Sequence, residues 1–305
     1  MRPPIIYPIV LVIACAATRL APAQETINLA SVSGRVTDAS GGTVEAAQVS
    51  ARQIETNLTS SARTDREGRF RFPYLKVGRY EITVHREGFA EAVRTVTLTL
   101  GAAFDLPIEL AVGAASANVT VSDEAGVLEA ARSQIAGTIS QREVRNLPLN
   151  GRNFLDFALL VPGVSPTNTA STQLFAETSA VPGQGISIAS QRNFSNSFIV
   201  DGVSANDDAA GLTGAFYGLD VVHEFQIVTS GGQAEFGRAM GGYINMVTKS
   251  GTNSIHGDLY GYFRNQRFNA ANGLSNTRSP LTQAQYGASL GGPVVADRTF
   301  YFSNF

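Results

Sequence analysis

Three aspartates fall close together in the run DGVSANDD: Asp201, Asp207 and Asp208. Loop carboxylates of this kind are what a calcium ion takes. The run has no regular ligand spacing, however, and Asp-Gly followed by small polar residues reads as turn chemistry. The three histidines, His85, His223 and His256, are too far apart for a metal-ligand motif. His223 alternates with Val222 and Glu224 and reads as a strand-face residue. Serine, histidine and aspartate all occur, but no Gly-x-Ser-x-Gly elbow presents a nucleophile. Gly183-Gln184-Gly185 is only part of a dinucleotide fingerprint and opens no evident helix. No catalytic, cofactor or metal residues are therefore assigned, and the chain is not read as an enzyme.

Composition narrows the classes further. The chain has 305 residues, enough for two or three domains. Charged residues make up 16%, against about 25% in an ordinary soluble domain. A net charge of −2 and the lack of any Lys/Arg-rich run exclude nucleic acid as a partner. Met1 and Arg2 precede an apolar run over 5–17, and Ala21-Pro22-Ala23 offers small residues for a cut before Gln24. Residues 1–23 are read as a secretory signal peptide, since the run is shorter than the roughly 20 residues a membrane helix needs. An alternative stays open: Val12-Ile13-Ala14-Cys15 resembles a lipobox, which would make Cys15 a lipid anchor. With the first cut the mature chain has no cysteine and no disulfide.

Residues 27–112 show period-two alternation. Phe70 and Phe72 alternate with Arg69 and Arg71; Tyr80, Ile82 and Val84 with Glu81, Thr83 and His85; Val96, Leu98 and Leu100 with Thr95, Thr97 and Thr99. One face of each strand is therefore buried and one wet, and the regular turn spacing predicts an all-β sandwich. Gly34, Asp38, Thr64, Asp65, Gly68, Gly78, Tyr80, Gly88 and Phe89 fall in a pattern that resembles the carboxypeptidase-regulatory-like fold, a prealbumin-like sandwich.

Residues 113–126 are a linker of small residues around Asn118, Val119, Thr120, Val121 and Ser122. That β-prone segment is either a strand that adds to another protein's sheet edge or a last strand or spacer of the sandwich. Further on, Ser140 and Glu143 form a capping-box pattern before a short helix stopped by Pro148. Asn153 can cap a second helix over 154–161, ended by Pro162-Gly163. Asp201-Gly202 between apolar stretches predicts a hairpin turn. Residues 221–228 and 242–247 read as strands around a glycine-rich loop.

The run NLPLNGRNFLDFALLVPGV, the Asp201-Gly202 turn and the segment VVHEFQIVTSGGQAEFGRAMGGYINMVTKSG together resemble the plug of TonB-dependent outer-membrane receptors, in the Oar-like subfamily. The matching plug-motif positions are Asp201, Gly202, Gly231, Gly232, Phe236, Gly237, Gly241, Gly242, Asn245 and Lys249; Ser230-Gly231-Gly232 departs from the usual Arg-Gly-Pro. The resemblance implies an α+β plug over 127–250. It implies a TonB box at Asn118, Val119, Thr120, Val121 and Ser122, pulled by a TonB-type inner-membrane energising protein. It also implies a periplasmic N-terminal domain, an outer-membrane location and an unidentified ligand. The glycosylation sequons at Asn57, Asn118 and Asn193 are incidental in such a protein.

Residues 251–305 are aromatic-rich. Tyr286, Ala288 and Leu290 alternate with Gly287 and Ser289, and Phe300 and Phe302 with Tyr301 and Ser303. Apolar-out, polar-in alternation is the outer-membrane strand pattern. At about 9–11 residues per span the segment holds at most about three strands, the beginning of an incomplete transmembrane β-barrel. The expectation is thus the N-terminal fragment of a receptor that meets outer-membrane lipid through barrel strands lying beyond it. The alternative reading is a secreted or surface β-sandwich binding or adhesion module without transport.

Overall fold

The computed structural model describes residues 28–113, 135–147, 149, 152–167, 185–207, 211–213, 217–232, 237–271 and 273–305. Nearly every element is a strand. The N-terminal part comprises β1 (Leu29–Asp38), β2 (Gln48–Gln53), β3 (Thr59–Arg63), β4 (Arg69–Lys76), β5 (Gly78–His85), β6 (Ala92–Leu98), β7 (Ala103–Asp105) and β8 (Ile108–Leu110). One sheet runs β4-β1-β7, with β8 also paired to β1; the other runs β3-β2-β5-β6. β7 and β8 lie parallel to β1, and the remaining pairs are antiparallel.

Both sheets contribute to one core, with Val32, Val49, Ile82, Val84, Leu98 and Leu110 essentially inaccessible. The turns are fixed by side chains reading backbone. Thr64 donates its hydroxyl to Val44 O (2.7 Å) and accepts from Ala47 N (2.8 Å). Asp65 accepts from Glu67 N (3.0 Å) and Arg69 N (2.7 Å), an Asx-type turn. Gly34 is required by close approach: a Cβ there would strike the Leu106 carbonyl and the Phe70 ring.

Two differences from the sequence reading have physical causes. β3 was not foreseen, because its outer position leaves Thr59, Ser60 and Ser61 exposed and no apolar alternation develops. Leu100 does not continue the alternating strand. β6 stops at Leu98, and the chain turns over 99–102, with Ala102 N donating to Thr99 O (3.1 Å) and Gly101 at φ +65°.

The second body comprises β9 (Ile135–Ile139), α1 (Gln141–Asn146), a 3-10 helix (Phe154–Leu160), β10 (Val164–Pro166), β11 (Ile186–Ile188), β12 (Asn196–Val200), β13 (Val203–Ser204), β14 (Asn206–Asp207), β15 (Leu212–Thr213), β16 (Val222–Ser230) and β17 (Gly242–Thr248). Its main sheet has the order β13-β12-β17-β16-β9, with β12 parallel to β17. Ser140 starts α1: the Glu143 carboxylate accepts from the Ser140 amide (2.8 Å) and hydroxyl (2.7 Å). These bonds, the hydroxyl's first, hold the Glu143 carboxyl below its ordinary value. Asn153 caps the next helix, accepting from Leu155 N (3.1 Å), but that helix is of the tighter 3-10 form.

One face of the sheet is apolar. Phe225, Ile227, Ile244 and Met246 pack with Phe154, Leu155 and Phe157 of the 3-10 helix. Phe154 meets Phe225 edge to face at 5.7 Å. The opposite face carries a polar row, with Gln226 opposite both Thr138 and Asn245.

The C-terminal sheet is β18 (His256–Asn265), β19 (Thr282–Val295) and β20 (Thr299–Asn304), in that order and open. Leu259, Phe263, Tyr286 and Leu290 share one exposed face. Phe300 and Phe302 depart from the apolar-out expectation. They pair with Pro293 and Gly291, whereas Leu290 pairs with Ser303, so the two phenylalanines lie on the opposite face. No closed barrel forms among the described residues, and none of their helices is long and apolar enough to cross a membrane.

Candidate functional site

The residues matching the plug motif cluster along β16, β17 and the β12–β13 turn. Asp201 and Gly202 form a two-residue turn with φ of +49° and +85°, joining Val200 to its partner Val203. The positive φ at both centres is what such a hairpin needs. The Asp201 carboxylate reaches the end of β17, accepting from the Thr248 amide (2.9 Å) and hydroxyl (2.7 Å). Asp207 lies in β14, paired with Leu212, and Asp208 lies outside the described residues.

Gly231 follows β16 at φ +69°. Gly232 lies beside the Tyr243 ring, and Gly237 has open space where a side chain would be. Gly241 donates its amide to Ser195 O (2.8 Å). Gly242 admits no side chain, because a Cβ would sit 2.5 Å from the Val228 carbonyl oxygen. Asn245 is fully buried between Ile199 and Gln226 in register. Lys249 closes the segment, its amide donating to Val221 O (2.8 Å) and its ammonium pKa lowered chiefly by burial. Phe236 and the segment Asn118, Val119, Thr120, Val121 and Ser122 lie outside the described residues.

The structure adds three features that residue patterns had not singled out. His223 is the extra residue of a β-bulge: Val222 faces Thr248 and Glu224 faces Val247, with nothing opposite His223. Bulges re-aim side chains, and here His223 borders a cavity of about 780 Å³ between the N-terminal domain, the second body and the C-terminal sheet. Glu55, Lys76, Lys249 and Arg298 also line it, with Phe300 and Phe302. Burial lowers the His223 pKa, with Lys249 and Arg145 adding to the effect and Glu55 opposing it.

The second feature is Arg152, held at φ +57°. Its guanidinium pairs with Asp220 at 2.8 Å, both side chains about one-fifth exposed, and lies 3.9 Å from the Tyr262 ring centroid. One arginine thus ties the second body to β18. The sequence clue was a single cation between Asn150-Gly151 and an apolar run.

The third feature is the seam with the N-terminal domain. Glu224 and Gln226, both buried, hydrogen-bond the backbone of Leu100. Nearby, Asp297 in the β19–β20 turn accepts from Asn57 (2.9 Å) and Asn253 (2.8 Å).

Comparison with known proteins finds two family matches and several similar proteins. Residues 31–111 match the carboxypeptidase regulatory-like domain, and residues 247–305 match an outer membrane beta barrel domain. The TonB-dependent transporter Oar of Myxococcus xanthus is 27% identical over 256 residues, which is 79% of this chain and 23% of that protein. The siderophore receptor PirA of Acinetobacter baumannii has a TM-score of 0.40 at 19% identity, over 53% of this chain and 22% of its own. The ferric enterobactin receptor PfeA of Pseudomonas aeruginosa has a TM-score of 0.38 at 18% identity, over 52% and 22%.

The molecule is a nearly all-β outer-membrane protein, its C-terminal segment matching a barrel domain. Its similarity to the TonB-dependent transporter Oar extends beyond the two matched segments into the region between them. The chain corresponds to less than a quarter of the length of the transporter it matches.

Proposed function

We propose that this chain forms the N-terminal region of a TonB-dependent outer-membrane receptor for energised uptake of an unidentified ligand. Residues 27–112 serve as a prealbumin-like periplasmic domain. Residues 113–126 are the linker, with the TonB box at Asn118, Val119, Thr120, Val121 and Ser122. Residues 127–250 act as the plug, and 251–305 open the barrel after a leader over 1–23. The observation that carries this reading is the single alignment with a TonB-dependent transporter over 79% of the chain, more than the two family segments together span.

The geometry supports the proposed orientation. β18 and β19 are joined by the long segment 266–281, whereas β19 and β20 are joined by the short turn 296–298. In outer-membrane barrels short turns face the periplasm and long loops face outside. The N-terminal domain meets the short-turn end, through Asn57 and Asp297. Removing plug from barrel would also have to break the contact of Arg152 with Tyr262.

The test is a cysteine cross-link in the full-length protein in cells. A Val121→Cys variant should trap the periplasmic domain of the TonB-type protein, and a Val121→Pro change in an otherwise identical background should abolish energised uptake by removing a strand donor. Uptake that persists without the energising protein would overturn the energised coupling, and a full-length protein that binds but supports no uptake would overturn the reading in favour of a binding or adhesion module.

A further inference from the structure

The β-turn over 99–102 is the tip of the N-terminal domain that meets the second body. Its Leu100 is fully buried, yet it belongs to the apolar core of neither body. A turn tip normally lies in water, so a completely buried leucine there marks a fitted contact. Both main-chain groups of Leu100 are read by side chains more than 120 residues away. Its N–H donates to Glu224 Oε2 at 2.9 Å, and its carbonyl accepts from Gln226 Nε2 at 2.6 Å. Glu224 and Gln226 stand two apart on β16 and so project from the same face. Gln226 also donates to Thr138 on β9 at 3.2 Å, so the contact spans two strands of the sheet.

We propose that the Leu100 turn and the Glu224 and Gln226 pair form a latch: docking of the N-terminal domain clamps β16 against β9, and undocking releases it. A buried carboxylate or amide that loses its partner bears the full cost of desolvation. A half-open latch is therefore disfavoured, and the contact opens as a unit with water entering. The consequence for transport rests on the plug reading above; the latch itself rests only on the contact. The occupant of the site is this chain's own turn, so the domain acts as a brake on the sheet it covers.

Hydrogen exchange of the full-length protein in detergent micelles tests this directly. Glu224→Ala should speed exchange at the Leu100 amide by about tenfold or more, since it removes the acceptor of that amide and lets water in. The amides of Ile227 and Val228 on β16 should speed up with it. Glu224→Gln keeps an acceptor and should stay near the parent. Amides of Val49 and Ile82 report that the N-terminal domain remains folded; if they also lose protection, Leu100→Asp, made from the other side of the contact, decides by the same readings. An unchanged Leu100 amide in Glu224→Ala overturns the latch. A freed Leu100 with β16 still fully protected overturns the brake. Uptake independent of the energising protein would sink the TonB-coupled reading while leaving these exchange results standing.

Discussion

In the N-terminal domain two sheets turn their apolar faces toward each other and leave the opposite faces to water. In the second body one sheet buries both faces of its inner strand β16. Phe225 and Ile227 go into an apolar core, and Glu224 and Gln226 go against another domain. The first arrangement is self-sufficient, since its core needs nothing beyond β1 to β8. The second depends on partners: Leu100 on one side, and Arg152 reaching Tyr262 on another. A sheet whose buried polar groups are satisfied from outside can be loosened by withdrawing those partners, whereas a closed apolar core cannot. That contrast suits a stable domain beside a movable one.

The strongest way to break the comparison is to hollow each core in turn. Phe225→Ala should cost about 3–5 kcal/mol and expose β16 and β17 to exchange while leaving β2 and β5 protected. Ile82→Ala should cost about 3 kcal/mol and do the reverse, visible as a lowered first step in thermal unfolding followed by exchange. If both variants melt both bodies together, the two are one cooperative unit and the contrast fails.

The contacts between bodies should matter less. Arg152→Ala loses a mostly buried ion pair and a stacked cation, about 1–2 kcal/mol together. The effect should appear as faster exchange in β18 and nowhere in β1 to β8. Arg152→Lys should recover only part of it, because an ammonium keeps the charge without the planar fork. Asp201→Ala removes the acceptor of the Thr248 amide and hydroxyl. About 1 kcal/mol is expected, read as denaturant sensitivity of the β12–β13 hairpin.

The smallest effect is the pH response of the seam. Burial lowers the His223 pKa, so the folded form favours the neutral ring. Its contribution is then complete above the ordinary histidine value of about 6.5 and is lost as pH falls below it. Glu55, Lys249 and Arg145 act on the same ring, the first opposing the shift and the others adding to it. The protection of the Leu100 amide, meaning its exchange rate corrected for the intrinsic pH dependence of amide exchange, should therefore fall on acidification from about pH 8 to about pH 5, and His223→Gln should flatten that dependence.

Much of the framework was legible because it is encoded locally. Alternation marked β4 and β5 through Phe70, Phe72, Tyr80, Ile82 and Val84, each buried as its neighbours are not. Ser140 with Glu143, Asn153 and Asp201-Gly202 announced two helix starts and a hairpin through hydrogen bonds made within a few residues. The polar outer strand β3 was not legible, since exposure on both faces leaves no periodicity. In the candidate site, Asn245 and Gly242 could be singled out, but not what faces them across the sheet.

Sequence alone determined where strands, turns and caps form, because those depend on side-chain periodicity and on bonds between near neighbours. Only the tertiary structure decided that Leu100 leaves its strand to be held by Glu224 and Gln226, that His223 is the bulged residue, and that Phe300 and Phe302 turn inward. Each of these is set by a partner far along the chain. A strand's own pattern says that its faces differ; it does not say what will cover them.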